Sequence, residues 1–362
     1  MQVLKHLCRG YYMLAALLLL SCKEDVVELN EYEFVQPKHF PSPSYSLSEN
    51  EISEAGFLLG RKLFYDPILS LDNSVSCNNC HQQATAFADG QQHPFSIGVD
   101  NEVGIRNSPA LANLAFYPEF FWDGGVTHLD FVPINAIESD IEMKEQLANV
   151  VNKLNTKAEY KQLFKNAFNV DSVSAPFMLK ALSQFMIRMV SANSRYDRWL
   201  DGRAGLNEKE LAGLSLFQEK CTSCHSGGLF TDFSYHNTGL DSIYVDKGRA
   251  NITEFSGDEG KFRVPSLRNV ELTAPYMHNA SFWTLKEVLD HYDNEVIDVI
   301  NLSPLLKENE TVGIALTEVE KENIIAFLKT LTDEEFIQNQ LFVEYNSSSC
   351  TSCIKHIFKP CL

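Results

Sequence analysis

Apolar residues recur at helical spacing in five stretches, most of them opened by a polar cap. Ser48-Glu49-Asn50-Glu51 reads as a capping box for a helix that turns Ile52, Ala55, Leu59 and Leu63 inward. Asn207 with Glu210 caps a second helix whose stripe is Leu211, Leu214 and Phe217. Residues 176–190 read as a long buried helix with a proline near its first turn. Thr284 and Glu287 cap a short helix that runs to Tyr292, and Thr317 with Glu320 caps a last one through Ile324, Ile325, Phe327 and Leu328. Strand-like alternation is scarce, so the pattern predicts a mostly α protein.

One apolar run is different. Residues 14–20 follow Lys5 and Arg9 and lead into Ser21-Cys22. A basic start, a short apolar stretch and a small residue before cysteine resemble a bacterial lipoprotein signal. Residues 1–21 are then a signal peptide, Cys22 carries the lipid anchor, and the chain belongs to the cell envelope of a Gram-negative bacterium, as a periplasmic or outer-membrane lipoprotein. Plain secretion with an incidental Cys22 is the alternative. Residues 22–47, with their acids, Pro37, Pro41 and Pro43, read as a tether.

The 362 residues, 44% hydrophobic, suit two domains with real cores. The net charge of −18 becomes −20 once Lys5 and Arg9 leave with the signal. Such acidity argues against nucleic acid as a partner and favours a basic electron donor by steering.

The chemistry lies in two copies of Cys-x-x-Cys-His: Cys77, Cys80 and His81, then Cys221, Cys224 and His225. Two thiols at this spacing form thioethers with the vinyl groups of one haem, and the adjacent histidine reaches its iron. A disulfide pair or a zinc site is the bland alternative. Zinc needs four ligands close together, and these motifs stand 144 residues apart. Each motif follows a capped helix, so the chain reads as an internal duplication. Residues 48–200 form a first haem domain, 201–332 a second, and 333–362 an atypical tail with Cys350, Cys353, His356 and Cys361. For that tail a disulfide or a loose end is favoured over zinc.

Further pairs strengthen the duplication. Arg106-Asn107-Ser108-Pro109 and Phe121-Trp122-Asp123-Gly124 follow the first motif. Residues 264–279, running from Val264-Pro265-Ser266 to Tyr276-Met277-His278-Asn279, follow the second. Together with the paired haem motifs and Ile141-Glu142-Met143, these resemble the bacterial dihaem cytochrome c peroxidases over about residues 50–332. The resemblance implies two cytochrome c-like haem domains packed together, two covalently bound c-type haems, and a calcium ion between the domains.

Carried over residue by residue, the resemblance makes His81 the ligand of the peroxidatic haem. Glu142 is its acid-base group, and Trp122 couples the two haems. His225 holds the second, electron-transferring haem. Its sixth ligand falls at Tyr292, where the peroxidases have methionine. The dihaem enzyme that matures the tryptophan-derived cofactor of methylamine dehydrogenase has tyrosine there. Met277 is the rival. His93 is a candidate switch ligand of the first iron. Asn107, Thr273 and Pro275 would hold the calcium. Arg106 and Arg268 would pair with haem propionates or lie on the surface. Two positions depart from the family: Val132 stands in place of a glutamine, and Gly125 in place of an arginine.

The resulting expectation is an enzyme, a cytochrome c peroxidase. It reduces hydrogen peroxide to water with electrons from a small donor such as a cytochrome c. One alternative is an oxidase that attacks a protein or organic substrate through high-valent iron. The other is a lipid-anchored electron carrier without activity. A homodimer is left open.

Overall fold

Helices in this protein begin where a polar side chain can take up their free amide groups. In the computed structural model, which describes residues 31–90, 94–308 and 311–344, Asn207 caps the Glu208–Lys220 helix, Thr284 caps Leu285–Asp290 and Thr317 caps Glu318–Lys329, each with its reciprocal glutamate. The long helix spans Ala175–Arg188, with Pro176 in its first turn and Met178, Leu182, Phe185 and Ile187 buried. Cys22, His93, Cys350, Cys353, His356 and Cys361 lie outside the described residues.

The first helix starts later than its sequence suggests. It spans Glu54–Tyr65 and is capped by Ser53, whose side chain accepts from Gly56 N; Leu47–Glu49 is only a 3-10 turn. Tertiary contacts explain the shift. The Asn50 amide donates to the Tyr45 hydroxyl and the Lys180 carbonyl, and accepts from Gln184. Ser53 N donates to the same Gln184. These bonds hold residues 50–53 extended against the long helix.

Two helix pairs carry the duplication into three dimensions. Glu54–Tyr65 packs on Ala175–Arg188, and Glu208–Lys220 packs on Glu318–Lys329. Both crossings are made close by a glycine. A Cβ at Gly60 would come within 1.9 Å of the Ala181 carbonyl oxygen, and one at Gly213 within 1.9 Å of the Asn323 oxygen. Phe185 and Phe327 stand beside these two contacts. Gly60→Ala is therefore expected to cost about 1–3 kcal/mol through overpacking. Gly205→Ala, where nothing lies within 4 Å, serves as the control, and urea midpoints report the difference.

Around the first pair gather Phe57, Leu63, Phe64 and Phe87, all at most 1% exposed. Around the second lie Leu214, Phe217, Phe230, Leu289, Ile324 and Leu331. Among the described residues, sheet is confined to two antiparallel ribbons. In one, Tyr235 pairs with Arg263 and His236 with Phe262; in the other, Lys307–Glu308 pairs with Thr311–Val312. Among the described residues no helix is long and apolar enough to cross a membrane.

Among the described residues, those from Phe34 to Glu344 belong to one compact unit, which takes in the outer part of the expected tether and the start of the expected tail. The outer part of the expected tether is packed. Phe40 and Tyr45 are buried, Ser44 N donates to the Ala115 carbonyl, and the Tyr45 hydroxyl donates to Asp130 at 2.8 Å. The start of the expected tail is also built in. Asp333 caps a helix over Glu334–Gln338, and Phe336 and Phe342 are 3% and 1% exposed.

Candidate functional site

The two Cys-x-x-Cys-His motifs are presented differently, one on a helical turn of its own and one at a helix end. Cys77–Cys80 is a single helical turn capped by Ser76 and Asn79. Cys221 ends the Glu208–Lys220 helix. In both copies the histidine amide bonds back to the first cysteine's carbonyl at 2.9 Å. The rings are aimed alike. His81 Nδ1 lies 2.9 Å from the Phe87 carbonyl oxygen, and His225 Nδ1 lies 3.1 Å from that of Phe230. With Nδ1–H donating, Nε2 keeps its lone pair for a metal.

Burial lowers the pKa of both histidines and so favours the neutral, ligating form. It also pushes the Cys77 thiol up to about 12 and that of Cys80 to about 11, while Cys221 rises to about 12. The four cysteines are unpaired. Among the described residues no three His, Cys, Asp or Glu side chains converge as a metal cluster. Free thiols beside a neutral histidine in an apolar wall fit a covalently attached haem.

Glu142 stands by the first motif. It lies in the turn after Val132–Glu138, not on a helix face. Its backbone is gripped: Glu142 N donates to Ser139 O, and its carbonyl accepts from Val99 N at 2.8 Å. Gly98 makes that approach feasible, because a Cβ there would sit 2.5 Å from the Glu142 carbonyl oxygen. The side chain is solvent-exposed, with protein near enough to desolvate the carboxyl in part. This partial enclosure raises the carboxyl pKa, against a lowering bond from Ser139. Its charge in turn adds to the upward shift of both Cys77 and Cys80. Val132 opens the preceding helix, and Gly125 is exposed against Ile252.

The second motif opens onto a large, mainly apolar cavity. Cys221, Cys224 and His225 line it together with Tyr292, Met277, Trp122, Asn107, Thr273 and Pro275. Nine of the expected site residues outside the first centre thus line one cavity. Tyr292 sits in a π-helical turn, His291–Glu295, that follows Leu285–Asp290. Burial, then Cys224 and Cys221, push its hydroxyl above the ordinary phenol range. Met277 has φ +68°, and its carbonyl accepts from the Asn107 amide at 3.3 Å. The same amide lies 2.5 Å from the Pro275 carbonyl. Trp122 Nε1 donates to the Asn107 carbonyl at 2.8 Å, which ties the tryptophan to the segment between the motifs.

Both arginines are paired with carboxylates of the chain itself. Arg106 pairs with Asp123 and Asp246 at 2.6 Å. Arg268 is buried and donates to both oxygens of Asp197 at 2.8 Å. Neither reaches outward, because a charged group at these depths needs a fixed counter-charge.

Sequence reasoning missed Lys321. Its ammonium is 4% exposed and bonds Asp290 at 2.7 Å, Asp293 at 2.8 Å and Glu318 at 3.1 Å. Asp290 and Asp293 flank Tyr292, so this lysine grips the π turn. A lysine inside an otherwise capped amphipathic helix carries no signal of that role. Sequence reasoning also missed Phe87 and Phe230, whose signal was a phenylalanine five or six residues after each motif histidine.

Comparison with known proteins agrees with this architecture. The family model of di-haem cytochrome c peroxidases matches residues 54–205. The chain is 31% identical over 304 residues to the methylamine utilization protein MauG of Methylophilus methylotrophus, covering 83% of this chain and 88% of that one. It is 32% identical over 309 residues to the cytochrome c551 peroxidase of Pseudomonas aeruginosa, with 82% and 84% covered. A solved MauG-like protein associated with microbial copper homeostasis superposes with a TM-score of 0.78 at 34% identity, over 86% of this chain and 99% of that one. The diheme peroxidase BthA of Burkholderia thailandensis E264 shares the fold, with a TM-score of 0.70 at 22% identity over 81% and 90% of the two chains. With two matching ligand turns, two equivalent helix pairs and relatives aligned along most of its length, the chain belongs to the di-haem cytochrome c peroxidase family and is an oxidoreductase.

Proposed function

We propose that the protein reduces hydrogen peroxide at a first haem held by Cys77, Cys80 and His81. Electrons arrive through a second haem held by Cys221, Cys224 and His225. Peroxide, two electrons and two protons give two waters. A bound haem supplies the open iron position and the redox equivalents. The chain's own residues supply the rest. Glu142 would take a proton from one peroxide oxygen and return it to the other, the proton shuttle that this reaction needs. Trp122, hydrogen-bonded to Asn107 and lining the second motif's cavity, would shorten the electron path. The carrying observation is Glu142, a partly enclosed carboxyl with raised pKa within electrostatic range of Cys77 and Cys80.

Asn107 and Pro275 suit a calcium ion with neutral oxygens only. An amide flip would present Asn107 Oδ1 beside the Pro275 carbonyl as a pair of hard donors. A small donor protein, such as a cytochrome c, and a lipid-anchored location in the cell envelope complete the reading. The deciding assay follows oxidation of a reduced small cytochrome c by the haem-complete protein with hydrogen peroxide. Peroxide-dependent turnover is expected, and its absence with both haems bound overturns the proposal.

Tyr292 favours a second reading. A phenolic oxygen on the second iron lowers its potential and suits oxidation of an organic or protein substrate. Relatives named as methylamine utilization proteins are consistent with it. Tyr292→Met is expected to raise the second haem's midpoint potential and the donor-driven rate together. An unchanged potential removes Tyr292 from the iron.

A further inference from the structure

The two ligand histidines are held by the same device, but its parts come from different places. In both centres a phenylalanine carbonyl holds the ring Nδ1, and that phenylalanine has a left-handed backbone, φ +63° at Phe87 and φ +54° at Phe230. A non-glycine residue stays in that region only when its surroundings hold it. Phe230 is held largely from within its own half, its ring packing on Phe217 at 5.8 Å and Phe327 at 6.1 Å, with Tyr196 at 5.4 Å from the end of the first half. Phe87 meets Phe64 from its own half, at 5.9 Å. The rest of its cup comes from the far end of the chain: Phe336 at 5.8 Å and Phe342 at 6.1 Å.

This arm, residues 333–344, is pinned where it crosses. Gln83, in the loop between His81 and Phe87, donates to the carbonyls of Phe336 and Asn339. Tyr65 donates to the Phe342 carbonyl at 2.7 Å, and Arg61 to that of Leu341 at 2.8 Å. The arm therefore bonds the same short loop that carries the Phe87 carbonyl.

We propose that the C-terminal arm is a positioning element for the first haem centre, setting the His81–Phe87 hydrogen bond through Phe336 and Phe342. The inference rests on His81 being the first haem's ligand. A firm Nδ1–H···O=C bond gives the imidazole more anionic character and lowers the iron's potential. Loosening Phe87 weakens that bond. The arm follows the second half of the chain, so the first centre acquires its final electronic state only when the arm has docked.

Resonance Raman of the reduced, haem-complete protein reads the iron–histidine stretch directly, and spectroelectrochemistry gives both midpoints. Phe342→Ala is expected to lower the stretching frequency and raise the midpoint of the first haem, leaving the second unchanged. Phe342→Leu is expected to restore most of the native values. Tyr65→Phe, which removes one pin without a cavity, is expected to shift the first haem in the same direction, and it decides the matter if Phe342→Ala does not fold. A native band and potential in these variants overturn the inference, as do equal shifts in both haems. If a His81→Gly variant keeps the native spectrum and midpoint of the first haem, the assignment of His81 fails instead.

Discussion

Glu142→Gln is expected to lower peroxide turnover by about 10²–10⁴-fold, the usual worth of a positioned proton shuttle. The amide keeps the shape and the hydrogen-bonding reach of the side chain but cannot accept and return a proton. Haem spectra and donor binding should be unchanged, because Glu142 touches neither motif covalently and its backbone bonds to Ser139 and Val99 remain. The pH profile carries a second signature. Partial enclosure raises this carboxyl, opposed by the Ser139 bond. The shuttle starts from the carboxylate, so activity should fall as pH drops through a pKa above the ordinary carboxylate range. The residual activity of the Gln variant should lack that acid limb. Stopped-flow rates across pH test both statements. An acid limb that survives the substitution assigns the proton transfer to another group.

Arg268→Leu is expected to destabilise the fold by about 3–5 kcal/mol, the cost of leaving a buried charge without its partner. The Arg268 guanidinium bonds both Asp197 oxygens and the carbonyls of Gly228 and Ser191, and lies over the rings of Phe40 and Phe230. Asp197 is 3% exposed and also accepts from Ser194 N and Oγ. Burial alone would raise its carboxyl pKa; the Arg268 bonds and charge and the Ser194 bonds outweigh that and hold it below the ordinary value. A depressed folded pKa gives stability that is present above the unfolded carboxylate pKa and lost as pH falls through the folded one. The wild type should therefore weaken in acid through this pair, while the Leu variant should suffer most near neutrality. The double variant Arg268→Leu with Asp197→Leu should recover much of the loss, since it leaves no orphaned charge. Guanidinium midpoints at two pH values measure all of this, and a single-variant cost near zero would remove the pair from the stability of the domain junction.

The same pair marks the boundary of what a linear reading reaches. Arg268 sits in a stretch, residues 264–279, whose resemblance to the family is plain, yet a propionate partner or the surface seemed equally open to it. Its real partner lies 71 positions away, in the short helix Arg195–Leu200. Lys321 is similar. Its helix was legible from Thr317 and Glu320, but its grip on Asp290 and Asp293 depends on how that helix crosses the Tyr292 turn.

By itself, the sequence determined everything whose cause is contiguous. Two thiols and a histidine within five residues define each haem turn. Asn207, Thr284 and Thr317 start their helices because the groups they satisfy lie three residues away. The repeated order of helix, motif and arginine-asparagine segment announces two similar centres. Tertiary structure decided the rest, where partners are distant in sequence. It moved the first helix start from Ser48 to Ser53, because Gln184 and Tyr45 claim Asn50. It packed Phe40 and Tyr45 in an expected tether, and it laid Phe336 and Phe342 against Phe87. Each of these follows from burying apolar surface and pairing polar groups across long loops. Such choices depend on which surfaces meet, and no local pattern of residues encodes that.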